Sequence, residues 1–176
     1  CCGTAQTENI DEPAFVQAML EDIATIVSVD PKRVYATGFS NGGMLSYRLG
    51  CEMSDTFAAI APVGGAMTYN PCEPQEPVSV FHVHAMNDAD VRYEGGEFPS
   101  VEEGLKTWVS INECTDPAQT EVQLDGQLTH TAYASCRNDT AIELYAFKTG
   151  GHAWPSLYIW DASQFMWDFF ATHPKP

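Results

Sequence analysis

The chain is 176 residues long, room for one domain of ordinary size with a sizeable core, and its 44% hydrophobic, 18% charged and 11% aromatic composition excludes a disordered chain. Eight Lys plus Arg against 24 Asp plus Glu leave a net charge of -16, a field that repels phosphate backbones and anionic headgroups; nucleic acid and membrane surfaces are therefore excluded as partners. No stretch approaches the roughly 18 apolar residues of a membrane span, and the opening CCGTAQTENIDE has neither the basic start nor the apolar run of a signal peptide, as expected of a soluble or already processed chain.

From Asp11, the segment DEPAFVQAMLEDIATIVSVD has a capping Asp, an early Pro, and Phe15, Val16, Met19, Leu20, Ile23, Ile26 and Val27 at helical spacing. It predicts one long amphipathic helix, broken by Asp30-Pro31. Arg33 to Phe39 reads as a short buried strand, followed at Ser40 by a second helix ending near Gly50. Phe57 to Val63 and Val78 to Ala85 read as further core strands, and Val101 to Ile111 as a helix after an acidic loop. An Asp125-Gly126 turn inside TEVQLDGQLTHTAY predicts a hairpin decorating one edge. Ala141 to Thr149 is a last strand, and Ile159 to Phe170 puts Ile159, Trp160, Phe165, Met166, Phe169 and Phe170 on one helical face. No repeat, low-complexity tract or linker interrupts this order. The alternation predicts a single α/β domain over residues 1–176, a mostly parallel sheet with helices on both faces.

Six cysteines without the two-residue spacing of zinc or redox motifs point to disulfides, and through them to an oxidising, extracellular setting. Asn138-Asp139-Thr140 is a glycosylation acceptor triplet.

Gly38-Phe39-Ser40-Asn41-Gly42 fits the nucleophile-elbow pattern, in which glycines let a strand turn sharply into a helix and leave the serine exposed at the bend. The alternative is a glycine-rich turn with a solvent-facing serine. A serine hydroxyl needs a base to take its proton, and that base needs a third group to hold its tautomer and its positive charge. In the chain order Ser, acid, His, both Asp88 and Asp90 stand in the loop after VSVFHVHA, and spacing alone does not choose between them. Of the five histidines, His152 in the glycine-flanked turn TGGHAWP suits the base, with Trp154 and Pro155 at the site wall. His82 and His84, two apart on one strand face, form a conceivable metal pair, but no carboxylate or cysteine completes a ligand set, which favours a core or loop-anchoring role. His130 reads as hairpin surface and His173 as tail.

GFSNGGMLSYRLGCEMSDTFAAIAPVGG, PVSVFHVHAMNDADVRYEGG and LYAFKTGGHAWP, closed by an aromatic helix, resemble the secreted α/β-hydrolases of carbohydrate esterase family one: feruloyl esterases, acetylxylan esterases and polyhydroxybutyrate depolymerase-like proteins. The resemblance covers nearly the whole chain, with the blocks in the same order. It implies an α/β-hydrolase fold and a serine carboxylic ester hydrolase with no cofactor and no metal. The implied substrate is a feruloyl or acetyl ester on plant cell-wall polysaccharide, or a polyester. By the same resemblance Ser40 is the nucleophile, His152 the base and Asp88, rather than Asp90, the acid, while the backbone N–H of Asn41 donates to the oxyanion.

Two departures stand out. His84 is followed by Ala85 and Met86 where the family has Gly and Thr, and family members carry further N-terminal strands and an oxyanion loop before the CCG block with which this chain opens. The expectation is a domain N-terminally incomplete relative to the family; the competing class is a non-catalytic remnant or binding domain without a complete oxyanion hole. Trp154, Tyr69, Tyr93 and Trp160 are candidates for stacking on an acyl group or sugar, against the ordinary alternative of packing. The resemblance pairs Cys114 with Cys136 across the hairpin. Cys1 and Cys2, as neighbours, are expected to join Cys51 and Cys72 rather than each other.

Overall fold

A computed structural model describes residues 2–157 and 160–176. The first element is a short helix, α1 (Gly3–Thr7), which the sequence pattern did not announce. The helix expected from Asp11 is α2 (Glu12–Ile26): the Asp11 carboxylate accepts the Ala14 N–H and Pro13 stands in the first turn, where its missing N–H costs nothing. The expected apolar stripe is on this helix, but only its Val16 is buried, with Leu20 packed partly beside it. Phe15, Met19, Ile23 and Ile26 face outward.

Strand β1 (Tyr35–Phe39) runs into α3 (Asn41–Glu52), then β2 (Ala59–Val63) and β3 (Ser79–Ala85). Helix α4 (Val101–Ile111) opens on a capping box, the Ser100 hydroxyl accepting from the Glu103 N–H while the Glu103 carboxylate takes the Ser100 N–H. The predicted hairpin is β4 (Gln119–Gln123) and β5 (Leu128–Tyr133), antiparallel across a turn that includes Asp125 and Gly126. Strand β6 (Ile142–Phe147) completes the set. Two-residue strands β7 (Ser156–Leu157) and β8 (Trp160–Asp161) pair with each other, and α5 (Ala162–Thr172) closes the described chain. This last helix starts later than the aromatic periodicity implied, because the Asp161 carboxylate caps it by accepting the Ser163 and Gln164 N–H groups. Ile159, one member of the expected face, lies outside the described residues.

The main sheet has the order β1-β2-β3-β6-β5-β4. Pairs β1–β2, β2–β3 and β3–β6 are parallel, and β5 and β4 extend the β6 side antiparallel. Because parallel strands are covered on both faces, β2 and β3 are buried almost throughout. On one face Ile60, Val80, Ile142 and Leu144 pack against Tyr47 of α3 and Leu105 and Trp108 of α4. On the other, Ala61, Val63, Phe81 and Val83 meet Met166, Phe169 and Phe170 of α5. Helices thus cover both faces, and the C-terminal ends of β1, β2, β3 and β6 converge on one rim, where ligands bind in open α/β sheets.

The disulfide expectation needs correction. Cys51 is bonded to Cys72, not to either N-terminal cysteine, because the loop after β2 folds back over the end of α3: the Tyr69 hydroxyl donates to Glu52 and the Gln75 N–H to the Ser54 hydroxyl. Cys2 is itself disulfide-bonded, and Cys1 lies outside the described residues. Cys114 is bonded to Cys136, closing the segment that contains the hairpin.

Candidate active site

Ser40 sits between the last residue of β1 and the first of α3, with φ 57° and ψ -117°, a left-handed conformation that costs a residue with a β-carbon about 1 kcal/mol or more. Surrounding structure imposes it. The Ser40 N–H donates to the Val63 carbonyl and the Ser40 carbonyl accepts from the Met44 N–H, so strand and helix both hold the bend. A β-carbon at Gly38 would come within 2.5 Å of the Gly42 backbone, and one at Gly65 within 2.8 Å of the Ser40 carbonyl oxygen. The first belongs to the elbow pattern, whereas Gly65, on the loop after β2, was not singled out by it.

His152 reaches this serine from the loop after β6. Its Nε2 lies 2.8 Å from Ser40 Oγ and its Nδ1 2.8 Å from Asp88 Oδ2. A carboxylate only accepts, so Nδ1 carries the proton and Nε2 is left to accept the serine O–H. The ring tilts against Phe39, centroids 4.6 Å apart. Its loop is tied to the Asp88 loop by the Gly151 N–H, which donates to Asn87 Oδ1 at 2.9 Å. Asn87 had no signal in the sequence, since a loop asparagine beside two aspartates has no distinctive pattern.

Asp88 is buried, and its Oδ1 accepts the N–H groups of Asp90 and Val91, both at 2.9 Å. Burial pushes its carboxyl up, but the hydrogen bonds from His152 and from those two backbone groups outweigh it and hold the carboxyl below its ordinary range. The side chain of Asp90, which spacing alone left open, is exposed, and only its backbone serves Asp88. Among the described residues, Asp88, Asp90 and His152 bring ligand-type atoms within 4.8 Å of one another. Both Asp88 oxygens are already engaged by N–H donors, an arrangement suited to orienting an imidazole.

Asn41 is the first residue of α3, next to Ser40 at the positive end of the helix. Trp154 lines, with Val63, Val83, Phe147 and Pro155, a largely apolar cavity of about 210 Å³ beside the His152 loop. The other aromatic candidates are committed elsewhere. Tyr69 donates to Glu52, Tyr93 packs edge-on to His84, and Trp160 stacks with Phe165. His130, on the hairpin strand β5, hydrogen-bonds Glu143 of β6, and His173 follows α5 with Nδ1 2.7 Å from the Phe169 carbonyl. His82 and His84 are fully interior and hydrogen-bonded to each other.

Fold and rim geometry together define an α/β-hydrolase-fold protein whose elbow serine, histidine and aspartate are hydrogen-bonded in series. No family model matches the chain. Its relatives are esterases: it is 29% identical over 169 residues to feruloyl esterase B of Piromyces equi, covering 87% of this chain and 30% of that protein. It is 28% identical over 171 residues to the bifunctional acetylxylan esterase/xylanase XynS20E of Neocallimastix patriciarum, covering 95% of this chain and 24% of that protein. The chain therefore spans less than a third of either relative. Among solved structures, the acetyl xylan esterase from Aspergillus awamori superposes with a TM-score of 0.64 at 14% identity, over 90% of this chain and 66% of that one, a likeness of fold. These matches agree with the resemblance to carbohydrate esterase family one read from the sequence blocks.

Proposed function

We propose that this chain carries the catalytic centre of a secreted serine carboxylic ester hydrolase acting on feruloyl or acetyl esters of plant cell-wall polysaccharide. The observation that carries the reading is the series Ser40 Oγ, His152 and Asp88 Oδ2, two contacts of 2.8 Å at the C-terminal rim of a parallel sheet. In it, Ser40 Oγ attacks the ester carbonyl as His152 Nε2 takes its proton. Asp88 stabilises the imidazolium that results, and its lowered pKa suits a group that must stay ionised beside a developing cation. The Asn41 N–H is the proposed donor to the oxyanion. His152 then protonates the leaving alcohol, and water, activated by the same imidazole, releases the acid and restores Ser40.

The relatives named feruloyl esterase and acetylxylan esterase support the choice of ester. The apolar cavity beside His152, walled by Trp154 and Phe147, supports an aromatic or short acyl group over a charged one. Bonded cysteine pairs support an oxidising, extracellular setting. The test is release of ferulate from methyl ferulate and of acetate from acetylated xylan by the purified chain. Turnover of either supports the reading, while activity on neither, with a simple aryl acetate also untouched, contradicts it.

A further inference from the structure

Behind the site runs a second line of hydrogen bonds that the triad chemistry does not use. The Tyr47 hydroxyl of α3 lies 2.7 Å from His82 Nδ1, His82 Nε2 lies 3.0 Å from His84 Nδ1, and His84 Nε2 lies 2.7 Å from the Val91 carbonyl. The three side chains are wholly enclosed between β3 and the α3–α4 layer, with Tyr47, His82 and His84 stacked in sequence and Trp108 against Tyr47. Every proton in the line is fixed by its far end. A carbonyl has no proton to give, so His84 Nε2 must donate; neutral His84 then accepts at Nδ1, so His82 donates from Nε2 and accepts the Tyr47 O–H at Nδ1. Burial keeps both rings neutral, holding His82 well below the ordinary imidazole value and His84 below it, although the Val91 carbonyl and Asp88 pull His84 the other way.

The line ends on the acid's own loop. Val91, whose carbonyl is held by His84, also donates its N–H to Asp88 Oδ1, and His84 Nε2 stands 3.5 Å from Asp88 Oδ2, the oxygen that accepts the His152 Nδ1–H hydrogen bond. We propose that Tyr47, His82 and His84 form a brace that positions Asp88, His84 acting as a positioning residue that fixes the 88–91 loop through Val91. Donors thus converge on this loop from opposite sides, His152 from the rim and the Tyr47–His82–His84 line from the core. Neutrality of the line matters to its role, because a cation at His84 would compete with the imidazolium of His152 for the same carboxylate oxygen. The inference rests on the serine hydrolase reading given above.

The test compares the chain with its His84→Leu, His84→Gln and Tyr47→Phe variants, reading kcat and KM for 4-nitrophenyl acetate, the unfolding midpoint, and nitrogen-15 spectra of the histidines. His84→Leu is expected to lower kcat by up to about 100-fold with KM unchanged, since misplacing a group remote from the reacting atoms acts on the transition state. Glutamine, whose amide N–H stands near the lost Nε2–H, is expected to recover most of that loss. Tyr47→Phe, which removes one oxygen and leaves the packing, is expected to fall between and to leave His82 Nδ1 without its donor while the proton stays on Nε2; it keeps the test open should His84→Leu not fold. An unchanged kcat in a folded His84→Leu, a loss that glutamine does not recover, or a proton on His84 Nδ1 would overturn the proposal. If the parent chain shows no turnover, the hydrolase reading fails by itself. The spectra then decide the brace: a His152 Nδ1–H signal unmoved by His84→Leu overturns it, and a lost or displaced one upholds it.

Discussion

In the proposed reaction Ser40 Oγ is a nucleophile only as far as His152 removes its proton, and His152 does so only in the tautomer that its contact with Asp88 favours. Ser40→Ala and His152→Ala are therefore each expected to lower kcat on an aryl acetate by about 1000-fold or more, with an unchanged unfolding midpoint. Asp88→Asn is expected to cost about 10,000-fold, the size of effect seen when a triad histidine is left in the wrong tautomer. Asp90→Asn should cost far less, since the Asp90 side chain is exposed and only its backbone N–H touches the acid. Steady-state kinetics of the pair decides between the two aspartates, and an Asp90→Asn loss larger than that of Asp88→Asn would reverse their roles. The serine and histidine were legible in the sequence because glycines flank both. Spacing alone did not choose the aspartate, as two carboxylates two residues apart in one loop differ only in which side chain folds inward; the family resemblance pointed to Asp88.

At the scale of elements, β3 carries an unusual load: His82 and His84 occupy the face covered by α3 and α4, where aliphatic side chains would ordinarily sit. Both rings stay neutral in the fold, while in the unfolded chain they titrate near 6.5. The unfolded state therefore binds more protons below that pH, and stability falls as pH drops from about 6.5 toward the depressed folded values, by up to about 1.4 kcal/mol per pH unit for each ring. Asp88, whose carboxyl is held below its ordinary range, adds a loss in the same direction at lower pH. Urea unfolding midpoints measured from pH 8 to pH 5 are expected to decline from near 6.5 onward, and a flat profile across that range would contradict the neutral, buried assignment. Sequence spacing put both histidines on one strand face, and the lack of a completing ligand favoured a core or loop-anchoring role over a metal pair. Which loop His84 holds was beyond it, since Val91 contributes only backbone groups.

Across the whole molecule, the order of strands and helices was readable from local pattern: continuous apolar runs for β2 and β3, the helical run of α4 after its acidic loop, and the Asp125-Gly126 turn of the hairpin. Partnering was less readable. The stripe on α2 has helical spacing, yet Phe15 is 68% exposed and Val16 only 7%. Phe15→Gln is accordingly expected to change stability by less than about 0.5 kcal/mol, whereas Val16→Ala, which removes buried methyl groups, is expected to cost about 1 to 2 kcal/mol in chemical unfolding. Cysteine pairing is likewise a property of the folded surface, and adjacency of Cys1 and Cys2 did not reveal that the loop after β2 brings Cys72 onto the end of α3. Replacing Cys114 and Cys136 together by alanine is expected to cost about 3 kcal/mol, the chain entropy released by opening a loop of that size.

The most direct measurement is treatment of the purified chain with a serine-directed alkyl phosphonate, followed by intact mass and peptide mapping, alongside hydrolysis of 4-nitrophenyl acetate. A single adduct on Ser40, formed in step with loss of turnover and absent in His152→Ala, is the predicted result. Turnover that survives Ser40→Ala, or an adduct on any other residue, would contradict a reaction that starts at Ser40.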